Sequence, residues 1–220
     1  EFIDPKTGNG FMSDYRASVF PGSTVAPCPI GGLLVECVDG ALVENVSFRN
    51  MTIRDCCTPI FVRGETRLNR KWGNRIYLGI PFGTGIALRD ILFENIKATA
   101  RSWTASSITG VPLLRPKNVT LRNVEIEMPG SGPHGKREIG CPVPEKEDGY
   151  PDPYMFSGRM LPAYGFYVRH ADGVRFENVS LSYAGGTEER PAVVTDDSTG
   201  VTYEGCDFQP SASQVRTLAR

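Results

Sequence analysis

Five stretches of the chain follow one template. They are NVSFRNMTI (Asn45–Ile53), DILFENIKA (Asp90–Ala98), NVTLRNVEI (Asn118–Ile126), GVRFENVSL (Gly173–Leu181) and GVTYEGCDF (Gly200–Phe208). Each opens on a turn-forming residue, follows it with an aliphatic, alternates polar and apolar positions, and places Asn or Gly sixth. The alternation has period 2, which is the geometry of a strand. A plain strand position has no reason to accept Asn and Gly in particular. What these two share is a low cost in the left-handed backbone region. Asn50, Asn95, Asn123, Asn178 and Gly205 therefore predict a one-residue corner between two short strands.

The aliphatics that open the copies are Val46, Ile91, Val119, Val174 and Val201, separated by 45, 28, 55 and 27 residues. The short steps set a unit of about 27–28 residues, a spacing that signals stacked repeats. The step of 55 reads as two units, and the step of 45 as one unit with an insertion or two shortened ones. A second column falls between the first: LVE, FVR, SIT, YVR and VVT, centred on Val35, Val62, Ile108, Val168 and Val194. β-Branched residues at one repeated position suit a stacked interior. Their neighbours Glu36, Arg63, Thr109, Arg169 and Thr195 are polar and would face outward. One unit cannot bury its own apolar side, so like must stack on like. The expected fold is all-β, a parallel β-helix occupying residues 1–220 as one domain. A sandwich would need antiparallel hairpins, and no helical periodicity persists beyond two turns. The C-terminal SQVRTLAR is polar and reads as a frayed tail.

Composition narrows the partners. A formal net charge of −1 gives no electrostatic case for nucleic acid or an anionic membrane surface. No apolar run approaches the roughly 20 residues of a membrane span. Six cysteines without a CxxC pair, and only two histidines, argue against a zinc site. At this length six cysteines make no disulfide scaffold, and most of them read as small buried hydrophobes. No cofactor or metal is expected.

Repeat scaffolds carry their variation in loops, and two insertions interrupt this one. Arg63–Gly83 holds Arg63, Arg67, Arg70, Lys71 and Arg75 with Trp72 and Tyr77. Pro129–Gly165 is rich in Pro and Gly and carries Tyr150, Tyr154, Phe156 and Tyr164. Arg grips carboxylates in fork geometry, and aromatic faces suit sugar rings. Arg63 and Arg169, on the outward column, are ligand-binding candidates; Arg70 and Lys71 read equally well as solvated loop charges. His170 should alternate inward or end its strand, and a lone His is more often structural than catalytic. Glu36 and the pair Asp196–Asp197 are the carboxylates on offer. Strand alternation would let only one of the two Asp face a given groove, so the catalytic residues stay unassigned.

The stretch GLLVECVDGALVENVSFRNMTIRDCCTPIFVRGETR resembles the part of glycoside hydrolase family 28 that follows its catalytic aspartates. SSITGVP, YPDPYMF and LPAYGFYVRHADGVRFENV are similar to bacterial branches of that family, which includes polygalacturonases and rhamnogalacturonases. The resemblance runs from Gly31 to Phe208. It implies a right-handed parallel β-helix and inverting hydrolysis of pectic polysaccharides. The chain would be the C-terminal part of such an enzyme, exported to the periplasm or outside. Arg63, Arg67, Tyr167, Arg169 and His170 would then bind the uronate carboxylates or hydroxyls of the substrate. The family's Asn-x-Asp, Asp-Asp and Gly-His-Gly motifs have no match in place, and its Arg-Ile-Lys motif falls on Leu34-Val35-Glu36. Two other readings compete: a non-catalytic carbohydrate-binding or structural β-helix, and a polysaccharide lyase, which needs clustered acids for calcium. The Asn-x-Ser/Thr sequences at Asn45, Asn50, Asn118 and Asn178 follow from the corner pattern and read as structural.

Overall fold

The computed structural model describes residues 30–65, 85–132, 135, 139, 142–146, 155–156, 161–209 and 214–218. Within them the chain alternates between two sheets. β1 (Gly31–Cys37), β3 (Thr58–Gly64), β5 (Ser106–Thr109), β7 (Phe166–Arg169), β9 (Val193–Asp196) and β12 (Val215–Leu218) form the first, in that order. β2 (Leu42–Cys56), β4 (Ala87–Ala100), β6 (Lys117–Pro129), β8 (Asp172–Ala184) and β10 (Thr202–Glu204) form the second, and β11 (Asp207–Phe208) also pairs with β8. Every pairing between these strands is parallel. Each return of the chain thus adds one strand to each sheet, and the expected all-β architecture of stacked parallel strands is present.

Three details differ from the sequence reading. Val119 lies directly opposite Val174, so the step of 55 is one unit plus an excursion and not two units, whereas Val46 opposite Ile91 makes the step of 45 one unit with an insertion, the first of its two readings. The cost of closing a loop rises only with the logarithm of its length, so spacing alone cannot count strands. In β9, Thr195 and not Val194 sits opposite Val168. The run Val193-Val194-Thr195 offers three β-branched residues, and choosing the wrong one shifts every side chain to the other face. The outward residue of that unit is therefore Asp196, in register with Arg169. Finally, Val215–Leu218 does not fray: it pairs with β9 and satisfies that strand's exposed backbone groups. The strands also claim residues assigned to the insertions: Arg63 and Gly64 end β3, and Pro129 ends β6.

The corners are as the repeat demanded. Asn50, Asn95, Asn123 and Asn178 have φ between 52° and 56°, and Gly205 has φ 60°. Their amides form a ladder across the units: Asn95 Nδ2 donates to Asn50 Oδ1 at 2.8 Å, Asn123 to Asn95 at 3.0 Å, and Asn178 to Asn123 at 3.2 Å. The ladder stops at Gly205, which has no side chain; an added Cβ would lie 2.3 Å from Asn178 Oδ1, which would have to turn aside. Asn95→Ala should cost about 2 kcal/mol, from the left-handed conformation and the lost amide bonds together. Asn95→Gly should cost clearly less, because glycine keeps the corner. Urea denaturation of both variants checks this, and equal losses would mean that the conformation is not what selects Asn.

The core lies between the sheets. Leu33, Val35, Ile60, Val62, Ile108, Phe166, Val168 and Val193 from the first meet Leu88, Ile91, Phe93, Ile96, Leu121, Val124, Phe176 and Val179 from the second. Phe93 stacks on Phe48 of the preceding unit, with ring centres 5.4 Å apart. Cys37 and Cys56 are free and buried, and burial pushes the Cys56 thiol up to about 11. Cys57 is disulfide-bonded, to a partner outside the described residues.

Candidate functional site

The first sheet turns two columns of side chains away from the core. One is Phe61, Ser107, Tyr167 and Val194; the other is Arg63, Thr109, Arg169 and Asp196. They do not meet open solvent. Phe61, Tyr167 and Val194 form a second apolar cluster with Ala105, Met155, Phe156, Leu161 and Ala163, and Val143 packs against it. Parts of the second insertion therefore roof this face. The sequence reading placed charged residues there because strands alternate; it had no means to see that a non-repeating excursion returns over them.

Four of the five predicted ligand-binding residues come together beneath that roof. Arg63, Tyr167, Arg169 and His170 are all nearly fully buried. Arg67 lies outside the described residues, as do Arg70, Lys71, Trp72, Arg75, Tyr77, Tyr150 and Tyr154. The Arg63 guanidinium donates to Glu65 Oε1 at 2.9 Å, to the Gly110 carbonyl at 3.1 Å and to the Lys146 carbonyl. It also sits 5.5 Å from the centre of the Phe156 ring. Arg169 donates to the Val143 carbonyl at 2.9 Å, pairs with the Glu145 carboxylate and lies 3.5 Å from Asp196. The Tyr167 hydroxyl donates to Asp196 at 2.9 Å. Gly110 is required between the two arginines: a Cβ there would lie 2.5 Å from the Leu114 carbonyl and 2.7 Å from that of His170.

His170 ends its strand, with φ 47°. Its imidazole joins two carboxylates, Asp197 at 2.5 Å on Nδ1 and Glu145 at 3.1 Å on Nε2. Asp197 also has positive φ, at 43°. That turn is why both Asp196 and Asp197 enter one network, against the expectation that strand alternation would separate them. Arg115 holds the far side, donating to both oxygens of Asp172 at 3.0 Å and to Asp197 at 2.9 Å. Arg115 holds the Asp172 and Asp197 carboxyls below the usual carboxylate range, with His170 adding to the effect on Asp197. The result is a row in which one buried imidazole bridges two partly exposed carboxylates, with an arginine at each end.

Two aromatics of the second insertion serve packing. Phe156 is 2% exposed and meets Tyr167 edge to face, so it offers no ring to a sugar. Tyr164 is in the core, and its hydroxyl donates to the Leu181 carbonyl at 3.1 Å. A second buried ionic group escaped the sequence reading. Arg190 donates through two nitrogens to Glu188 at 3.0 and 2.9 Å and to the carbonyls of Trp103 and Ala163 at 2.9 and 3.0 Å. Glu188 in turn accepts from the Ser131 hydroxyl at 2.9 Å. Both residues lie outside the two repeat columns, so no periodicity marks them. On the second sheet, Asp90, Asn118, Thr120, Arg122 and Arg175 line a shallow groove. Its arginines are committed locally, Arg122 to Glu177 at 2.7 Å and Arg175 to Thr120 at 2.9 Å. The first sheet is the stronger candidate because it brings Arg63, Tyr167, Arg169 and His170 together under the second insertion.

No protein-family model, no curated protein and no solved structure matches the chain.

Proposed function

We propose that the two sheets are walls of a right-handed parallel β-helix, and that this chain supplies C-terminal rungs and substrate-binding loops of a pectic-polysaccharide glycoside hydrolase. The observation that carries the reading is the pair Arg63 and Arg169 on outward positions of alternate strands, with Tyr167 and His170 beside them. Two guanidiniums in one row suit a polymer that repeats a carboxylate, because each fork can grip one. Parallel strands repeat every 4.8 Å or so, and a polysaccharide lying along them would meet equivalent positions in turn. The disulfide at Cys57 supports an extracellular or periplasmic location, since such bonds persist in oxidising compartments.

The alternative, a β-helix that binds carbohydrate or serves structurally without cleaving, is favoured by one observation. All three nitrogens of the Arg63 guanidinium and both terminal nitrogens of Arg169 are engaged by partners within the chain. Calorimetric titration of the 220-residue chain with oligogalacturonate and with a neutral oligosaccharide of equal length tests both, alongside release of reducing ends. Binding of the acidic oligomer alone is expected. Binding of neither would remove the pectic reading. Hydrolysis by this chain unaided would overturn the view that it supplies binding surface only, and would turn attention to Asp196 and Asp197.

A further inference from the structure

Residues 142–146 lie across the outer face of the first sheet, and the way they are held is informative. Arg63 takes the Lys146 carbonyl, Arg169 takes the Val143 carbonyl at 2.9 Å, and Val143 packs into the apolar cluster below. Between these anchors the Glu145 carboxylate enters a prepared seat. One oxygen meets the Arg169 guanidinium and lies 3.1 Å from His170 Nε2; the other lies 3.3 Å from the same nitrogen. The two sides of this contact differ sharply in exposure. The Arg169 and His170 side chains are each 2% exposed, whereas Glu145 is 40% exposed. The receptor is built into the sheet, and the carboxylate is a plug reached from outside.

The receptor's shape does not depend on Glu145 alone. Apart from the strap, Arg169 is fixed by strand pairing and by Asp196 at 3.5 Å. His170 is fixed from behind by Asp197 at 2.5 Å, itself held by Arg115. The charged groups facing the imidazole are therefore Glu145, Asp197, Arg169 through Glu145 and Arg115 through Asp197. With Glu145 withdrawn, one face of a guanidinium and one ring nitrogen would be left aimed at the same point. That is a two-pronged seat for a carboxylate, in a site that excludes most water, where such contacts are strong.

We propose that Glu145 is an internal stand-in for the carboxylate of an acidic sugar residue, and that residues 142–146 form a strap displaced when that sugar binds. The proposal rests on the pectic reading for the identity of the ligand but not for the existence of the seat. The strap is a competitor at its own site, so the chain's apparent affinity is reduced by the fraction of molecules in which it is withdrawn. Glu145→Gln keeps the side chain's size and removes the charge that holds it. A strap closed in nine molecules of ten would give that variant about a tenfold gain in affinity for trigalacturonate. Its methyl ester, which lacks the carboxylate charge, should show no gain.

Two probes make the result decisive. The chain has only two histidines, His134 and His170, so His134→Asn leaves a single imidazole signal for nuclear magnetic resonance. In the Glu145→Gln background, titration with acetate should move the His170 resonance; with Glu145 intact it should not move. In the unaltered protein, saturating trigalacturonate should speed hydrogen exchange at the amides of Val143, Glu145 and Lys146. This arm does not depend on any variant folding. If acetate moves His170 but trigalacturonate binds no form of the chain, the seat stands and the pectic reading falls. If trigalacturonate binds both forms equally, with His170 and the strap amides unmoved, the seat is refuted while the pectic reading survives.

Discussion

Arg190→Met should cost the fold about 3–5 kcal/mol, the usual result of removing one partner from a buried ion pair. For a chain of this size that corresponds to a fall of roughly 10 °C in Tm. The reason is geometric. Arg190 and Glu188 are both fully buried, and the guanidinium also satisfies the carbonyls of Trp103, Leu161 and Ala163. Methionine fills the volume but leaves a buried carboxylate and three buried acceptors without their donor. Glu188→Gln combined with Arg190→Met should recover part of the loss, because no uncompensated charge remains. Thermal denaturation of the single and double variants measures this, and a single variant within 1 °C of the parent would refute the role.

Acidity gives the same pair a second signature. Burial pushes the Glu188 carboxyl up, but the hydrogen bonds and charge of Arg190 outweigh it and hold the group below its usual value. A carboxyl depressed in the folded state stabilises the fold above its unfolded pKa, and the contribution disappears as pH falls through the folded value. The stability gap between the parent and Arg190→Met should therefore shrink as pH falls, beginning above the usual carboxylate range, where the unpaired Glu188 of the variant takes up a proton, and ending at the depressed value of the parent. A gap that widened on acidification would mean that the sign assigned here is wrong.

Phe93→Ala is the other substitution with a large expected effect, about 3–5 kcal/mol. The ring is fully buried, stacks on Phe48 and lies in register with Leu121 on the other side. Removing it leaves a cavity walled by backbone hydrogen-bonded on both edges, which cannot move in to fill it. Phe48→Ala removes the same atoms at a position with solvent on one flank, where Phe48 is only partly buried, and should cost less. Equilibrium unfolding in urea orders the two, and a larger loss at Phe48 would overturn the argument from the stack.

Repetition explains which features the sequence disclosed. The corners at Asn50, Asn95, Asn123 and Asn178 were legible because a backbone constraint recurs at the same place in every unit. The inward valines were legible because they line up under one another. A single unit carries less information: Val193-Val194-Thr195 offers three β-branched residues for one inward position, and the choice among them decides whether Asp196 faces Tyr167 and Arg169. The roof over Arg63 and Arg169 was illegible for a deeper reason. Val143, Met155, Phe156 and Leu161 belong to an excursion without periodicity, and nothing local in Pro-Val-Pro-Glu-Lys states which surface it will cover. Arg190 and Glu188 share that difficulty, since their partners at Trp103 and Ser131 are distant in sequence. Arg63, Tyr167, Arg169 and His170 do lie together, and their burial has no signature in the repeat.

The asparagine ladder makes the two ends of the stack chemically unlike. Each amide group donates toward the lower-numbered unit and accepts from the higher one. The row thus behaves as a short polymer of aligned dipoles with distinguishable end groups. At one terminus Asn50 accepts from Asn95, and its own amide hydrogens reach no acceptor among the described residues. At the other, Gly205 contributes no side chain, so Asn178 accepts from no amide beyond it. A strand seeking to extend the row finds a reactive end at Asn50 and a dead one at Gly205.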